Sequence, residues 1–302
     1  MLFDLLPQLI CECLKQYNEQ KIYELRLRIN CPIVINYGGK NILLENERKE
    51  SIFATREIID YVIRKATENS IYAYNNQMKQ GFITAKGGIR LGIAGQSVIS
   101  DDFMPKTLKD ICSVNIRVPH QVKGCSIVAF KFIYSKVYGL KNTLIISPPG
   151  AGKTTFLRDI ACQISKVTDK IYNTLIVDER FEIASVVGGL PMLDVGEFSD
   201  IVSGATKKFA FENGIRALRP DVILTDELIN EDDAIACENA MMSGVKVIAT
   251  IHANNLRELE GKKEFKGLLD KGCFERYVVL SNKNGAGTCD GIFDENKTCI
   301  YF

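Results

Sequence analysis

The stretch Leu144-Ile-Ile-Ser-Pro-Pro-Gly-Ala-Gly-Lys-Thr-Thr-Phe-Leu-Arg158 concentrates the residues best suited to hold phosphate. The apolar run Thr143 to Ile146 reads as a buried strand, a Pro/Gly-rich loop follows, and a helix opens at Lys153 or Thr154. A phosphate-binding loop needs this order, because successive backbone N–H groups then form a concave anion site at the positive end of a helix dipole. Pro149, Gly150, Ala151, Gly152, Lys153, Thr154 and Thr155 are the expected nucleotide-binding residues. Gly152 has no side chain to hold phosphates away, Lys153 reaches the β- and γ-phosphates as a point charge, and the Thr154 hydroxyl can ligate Mg2+. The pattern G-x-x-x-x-G-K-[ST] asks for glycine where this chain has Ser147. A serine there is expected to cost about 1 kcal/mol of backbone strain without removing a phosphate donor. An ordinary turn would account for Pro148-Pro149-Gly150, but not for Gly-Lys-Thr-Thr at a helix start.

Val222-Ile-Leu-Thr-Asp226-Glu227 is an apolar strand ending in two carboxylates, as the strand beside a phosphate loop does. Asp226 would hold Mg2+ through water and Glu227 would polarise the attacking water. A second acidic strand end, Leu175-Ile-Val-Asp178-Glu179-Arg180, has two readings. It is either part of the chemistry, with Glu179 as a substitute base, or a solvated end where the arginine pairs with one acid. A lone histidine is usually structural, but His252 lies at the end of the apolar strand Val245 to Thr250, the carboxyl edge of a parallel sheet, where a role sensing the γ-phosphate is the favoured reading.

Elements must position these groups. In the first half, residues 2 to 19 have apolar positions at helical spacing, and Tyr23 to Asn30 alternates as a half-buried strand. Pro32 to Leu44 reads as a hairpin about Gly38-Gly39, and Thr55 caps a helix over Arg56 to Ala66. A short helix ends near Gly81, two strands flank Gly87-Gly88, another covers Val114 to Val118, and a helix covers Ser126 to Tyr138. From Thr143 strands and helices alternate, the signature of a parallel sheet, with strands at 143–146, 174–177, 222–225 and 245–250 and helices after the first, third and fourth. Gly188 to Lys208 reads as a long functional or mobile loop, and the tail from Arg276 as short antiparallel strands with a turn at Asn284-Gly285. The expected division is an N-terminal α+β domain, 1–140, and a phosphate-loop domain, 141–302.

At 302 residues and 46% hydrophobic, the chain can bury a full core. A formal charge of +1, from 38 basic and 37 acidic residues, argues against nucleic acid or an acidic membrane as a general partner. No apolar run approaches the ~20 residues that span a bilayer, and Asp4 with no basic n-region argues against a signal peptide. The expected location is cytoplasmic. The ten cysteines form no C-x-x-C pair and read as reduced, buried hydrophobes; Cys112, His120 and Cys125 lack a fourth metal ligand at usual spacing.

The order phosphate loop, Leu-Ile-Val-Asp178-Glu-Arg-Phe-Glu182-Ile, Arg219-Pro-Asp-Val-Ile-Leu-Thr-Asp226-Glu, Ala-Thr-Ile-His252-Ala-Asn resembles the secretion ATPases of type II and type IV systems, with their Walker A, acidic, Walker B and His boxes. Within that superfamily the chain resembles the stage III sporulation protein AA family, sharing Glu24-Leu-Arg-Leu-Arg28, Gln80-Gly-Phe-Ile-Thr84, Gly88-Ile-Arg90-Leu-Gly-Ile-Ala-Gly95 and Ser113-Val-Asn-Ile-Arg117. The resemblance implies a RecA-like ATPase domain preceded by a smaller α+β domain, with ATP and Mg2+ as ligands. It places Asp178, Glu179 and Glu182 in the acidic box and His252 in the His box. Arg90 and Arg117 match N-terminal arginines that reach the nucleotide, and Lys207 and Arg216 match basic positions before Walker B. Phe198 and Ile89 depart from the arginine and histidine that the family carries there.

The expected catalytic set is thus Glu227, Lys153, Glu179, Arg90, Arg117 and His252, with Thr154 and Asp226 at the metal. The resemblance further implies a homo-hexamer at the inner face of a sporulation membrane complex, at the mother cell–forespore boundary. Two other readings stay open: a nucleotide-switched scaffold ring with negligible turnover, and a RecA-like nucleic-acid motor.

Overall fold

The computed structural model describes residues 2–99, 105–119, 122–283, 285 and 287–302. The chain packs as two compact units, Met1–His120 with Val187–Met192, and Gln121–Val186 with Leu193–Phe302.

The first unit is built on an antiparallel sheet of six strands, β1 (Ile22–Arg28), β2 (Val34–Tyr37), β3 (Lys40–Leu43), β4 (Phe82–Thr84), β5 (Arg90–Ile99) and β6 (Pro105–Arg117), in the order β3-β2-β1-β6-β5-β4. Strand alternation decides its faces: Leu25 and Leu27 are fully buried while Arg26 and Arg28 are exposed. The buried face shares one core with Ile10 and Leu14 of α1 (Gln8–Leu14), Ile59 and Val62 of α2 (Arg56–Ala66) and Met78 of α3 (Asn75–Lys79). As expected, Thr55 caps α2, its hydroxyl accepting the Ile58 N–H at 3.4 Å. The single helix expected over residues 2–19 is broken by Pro7. A proline disfavours helical backbone at the residue before it, and Leu6 is extended (φ −109°, ψ 145°), leaving a short turn Phe3–Leu5 ahead of α1. β6 is also much longer than the expected strand at 114–118, because it pairs along the length of β5.

The second unit holds an eight-stranded sheet: β7 (Thr143–Ser147), β8 (Thr174–Asp178), β9 (Ser199–Ser203), β10 (Val222–Leu228), β11 (Lys246–His252), β12 (Arg276–Ser281), β13 (Thr288–Phe293) and β14 (Cys299–Tyr301). Their order is β9-β8-β10-β11-β7-β12-β13-β14, parallel as far as β12 and antiparallel beyond it. The continuous apolar runs seen in the sequence are strands buried on both faces. Leu144 and Ile146 join a core with Ala210 and Phe211 of α6 (Lys207–Leu218) and Ala234 and Cys237 of α7 (Glu231–Met242). Ile145 points into the opposite core, with Ala129, Phe130 and Ile133 of α4 (Ile127–Ile133) and Phe156, Leu157 and Ile160 of α5 (Lys153–Val167).

That second core moves the division of the chain from near 140 to 120/121, because α4 is an integral part of it. The helix expected to run to Tyr138 ends at Ile133, where Tyr134 turns extended and a short strand pair to Gly139–Leu140 begins. The stretch 188–208 is not a structureless loop. It contains β9, an edge strand in parallel register with β8, and leads into α6, a helix the sequence pattern does not announce.

Candidate functional site

The loop after β7 turns through two left-handed glycines, Gly150 (φ 72°) and Gly152 (φ 83°), and α5 starts at Lys153 as expected. Only glycine adopts this backbone readily, so the helix entry depends on Gly152. Ser147 brings none of the expected strain. It is the buried last residue of β7, lies outside the left-handed region, and its hydroxyl donates to the Pro148 carbonyl at 3.0 Å.

Between β7 and the strand carrying the paired acids lies β11, so β10 is the second neighbour of the loop strand and not the adjacent one. A bulge shapes the end of β10. Thr225 pairs with Ala249 and Leu228 with Ile251, so three steps on β10 oppose two on β11. The extra residue breaks the alternation that would send Asp226 and Glu227 to opposite faces. Glu227 takes φ 42°, a strained value for a residue with a side chain. Hydrogen bonds hold it there: the Glu227 N–H donates to Thr250 Oγ1 at 2.8 Å and to Asp226 Oδ1 at 3.0 Å. The hydroxyls of Thr154 and Thr250 both donate to Asp226, to Oδ2 and Oδ1 respectively. The first turn of α5 and the end of β10 are thereby joined, as a site with Thr154 and Asp226 at one metal requires.

The remaining expected residues divide into groups. Glu179, Glu182 and Arg180 line one cleft with Lys207, Asp226 and Glu227. Arg180 Nη1 lies 2.8 Å from Glu227 Oε2. Lys207, only 3% exposed, bonds Glu179 at 2.7 Å and lies 3.6 Å from Asp233. His252 pairs in register with Ser147, its Nδ1 3.2 Å from the Ser147 carbonyl, and so sits at the root of the phosphate loop. Arg90 and Arg117 are directly opposite one another on β5 and β6 of the first unit. The Arg90 guanidinium lies 4.1 Å over the Phe82 ring and Arg117 is 3.8 Å from Glu24. Burial works to raise the Glu24 pKa, but hydrogen bonds from Arg26 and Asn115 outweigh it and hold the carboxyl below its ordinary value. Arg216 is not in the cleft and lines a groove between α6 and α7 with Asp232 and Asn239.

Asp178 is a structural carboxylate. It is 2% exposed, and its two oxygens accept the backbone N–H groups of Glu182 (2.7 Å), Ile183 (3.0 Å), Ala184 (2.9 Å) and Ser185 (3.3 Å). From the other side buried Arg158 donates to the carbonyls of Glu182 and Ile183, both at 2.7 Å. Burial lowers the Arg158 pKa, with Asp178 the strongest opposing charge. The next residue, Asp159, accepts the N–H groups of Gly124 (2.7 Å) and Ser126 (2.8 Å). Neither Arg158 nor Asp159 stands out as functional in the sequence; the available signal is two charges on the inward side of an apolar helix. Thr250 likewise carries no functional mark in the sequence, although it lies two residues before His252 on the same strand face.

His120, one of three conceivable metal ligands, lies outside the described residues, as does Asn284 of the expected tail turn. Among the described residues no cluster of three metal-ligating side chains occurs. The cysteines are less uniformly buried than expected: Cys13, Cys162 and Cys237 are buried, whereas Cys31, Cys112 and Cys299 are exposed.

The chain matches the family described as sporulation stage III, protein AA over residues 2–300. It is 33% identical over 303 residues to stage III sporulation protein AA of Bacillus subtilis, spanning 98% of this chain and 95% of that one. The type IV pilus assembly ATPase TfpB of Acinetobacter baylyi is 30% identical over 115 residues, 37% of this chain and 17% of that protein. Among solved structures, the Legionella pneumophila ATPase DotB is similar with a TM-score of 0.61 at 13% identity, over 91% of this chain and 76% of that one. The pilus retraction motor PilT with bound ADP gives 0.56 at 14% identity, over 89% and 76%. At these identities the likeness concerns the fold, and it is the fold expected: a RecA-like α/β domain after a smaller α+β one. The chain is a member of the stage III sporulation protein AA family.

Proposed function

We propose that this protein hydrolyses ATP with Mg2+ and that hydrolysis powers or regulates a membrane-associated, secretion-like channel in sporulation. The observation that carries the reading is the junction of Thr154 with Asp226, beneath the Gly150–Lys153 cradle and beside Glu227. Thr154 and Asp226 are hard oxygen donors of the type Mg2+ prefers, so the residues present fit the ion. Bound there, it would neutralise charge on the β- and γ-phosphate oxygens. Backbone N–H groups of residues 150–155 and the Lys153 ammonium would hold the phosphates. Glu227 would accept a proton from water as its oxygen bonds to the γ-phosphorus and the bond to the β–γ bridging oxygen breaks, leaving ADP and phosphate. Arg90 and Arg117 lie directly opposite one another on β5 and β6. Their match to the N-terminal arginines of the secretion ATPases is what supports a role for them on the nucleotide. Two relatives in fold or sequence are named as ATPases, which supports the reaction class.

A homo-hexamer docked at a membrane complex is the assembly that family membership favours; no helix among the described residues is long and apolar enough to cross a membrane. A scaffold ring with negligible turnover is the second reading, favoured by the ion pair that engages Glu227. Calorimetry and steady-state phosphate release decide. The parent should bind ATP and turn it over, and Lys153→Ala should lose binding at micromolar nucleotide, since it removes a charge-assisted contact worth ~1.5–3 kcal/mol. Unchanged affinity in Lys153→Ala would refute the phosphate site, and binding without phosphate release would establish the scaffold.

A further inference from the structure

Two cations line the acidic cleft beside the phosphate loop, and their circumstances differ. Lys207 is 3% exposed and committed to two carboxylates, Glu179 and Asp233. Arg180 is 52% exposed, lies two residues past the end of β8, and holds Glu227 through a single oxygen at 2.8 Å, with Glu227 itself 30% exposed. An ion pair so open to water contributes little, so Arg180 is held weakly and can exchange partners. A guanidinium forms stronger, two-pronged bonds with phosphate oxygens than with one carboxylate oxygen. The Glu227 backbone is pinned in its strained conformation by Thr250 and Asp226, so its shorter side chain can shift only about its own bonds. The longer, more exposed arginine is the partner with the greater reach.

From this we infer that Arg180 is a γ-phosphate ligand acting within the same chain. Without nucleotide it neutralises Glu227; when ATP enters, the guanidinium transfers to the γ-phosphate and leaves the Glu227 carboxylate available to water. ADP, lacking that phosphate, leaves the Arg180–Glu227 pair in place. The inference rests on the nucleotide reading above and adds to it a residue that tells ATP from ADP.

The test is calorimetric titration of the full chain with Mg-bound β,γ-imido-ATP and, separately, Mg-bound ADP, for the parent, Arg180→Ala and Arg180→Lys. Arg180→Ala should weaken the triphosphate analogue roughly 10-fold, the worth of one charge-assisted bond, while ADP affinity changes less than twofold. Arg180→Lys should recover only part of the loss, and kcat should fall in both variants. Equal weakening of both nucleotides, no weakening of either, or faster turnover in Arg180→Ala would overturn the inference, the last by showing that the arginine only restrains Glu227. Lys153→Ala serves as the separate control. If it binds both nucleotides like the parent, the phosphate-loop reading itself fails, whereas its loss of binding with an unaltered Arg180→Ala refutes the Arg180 role alone.

Discussion

Replacing Asp178 by asparagine should unfold the acidic loop without first removing nucleotide binding. The carboxylate receives four backbone N–H groups, two on each oxygen. Asparagine keeps one acceptor oxygen, and turns an amide NH2 towards the two donors that the other oxygen held. Two bonds to a charged acceptor are lost, each worth ~1.5–3 kcal/mol. Removing a buried charge recovers some desolvation, but buried Arg158 then loses its strongest opposing charge. The net cost should be about 3 kcal/mol. With a denaturant slope of ~2 kcal/mol/M, the urea midpoint of the second unit falls by roughly 1.5 M, and the amides of residues 182–185 lose their exchange protection. ATP affinity in the cold should stay within a few-fold of the parent. A midpoint within about 0.3 M of the parent, together with lost turnover, would refute this reasoning and return Asp178 to the chemistry.

Glu227→Gln should retain ATP and lower turnover roughly 10²-fold or more, while Asp226→Asn weakens the dependence on Mg2+; parent-like turnover in Glu227→Gln would move the base to Glu179. Arg117→Ala should keep fold and ATP affinity while turnover drops at least ~10-fold, and mixing it with Lys153→Ala subunits should restore activity only if the arginine serves a neighbouring copy. Burial pushes the thiols of Cys162 to about 11 and Cys125 to about 12. At pH 8 both are therefore almost wholly protonated, and iodoacetamide followed by mass spectrometry should label exposed Cys31, Cys112 and Cys299 well before either. Early labelling of Cys162 would show that its helix opens readily.

What was legible in the sequence depended on how local its cause is. The phosphate cradle needs only neighbours in the chain, so its glycines and the start of α5 could be read directly. The carboxylate strand could be read as a strand, because its apolar run is continuous, but its place two strands from the loop could not, since strand order leaves no local mark. β9 is short, polar and half-exposed at a sheet edge, so Ser199-Asp-Ile-Val-Ser carries no alternation strong enough to separate it from a loop. Lys207, Arg158 and Asp159 are buried charges whose partners lie at Glu179, Glu182–Ile183 and Gly124–Ser126. Sequence rules place such residues at the surface, and only the folded chain supplies what keeps them inside. The bulge at Asp226 is a mismatch of register between two strands, a property neither strand has alone.

The strand inserted between the cradle and the acids has a dimensional consequence. Neighbouring strands stand about 4.8 Å apart, so β7 and β10 are separated by roughly 9.6 Å at their backbones. With β11 between them the two strand ends stand two spacings apart, and the Asp226 carboxylate spans that interval to reach the Thr154 hydroxyl at the start of α5. β11 thus works as a gauge block, with Thr250 fixing one jaw through Asp226 and His252 fixing the other through the Ser147 carbonyl.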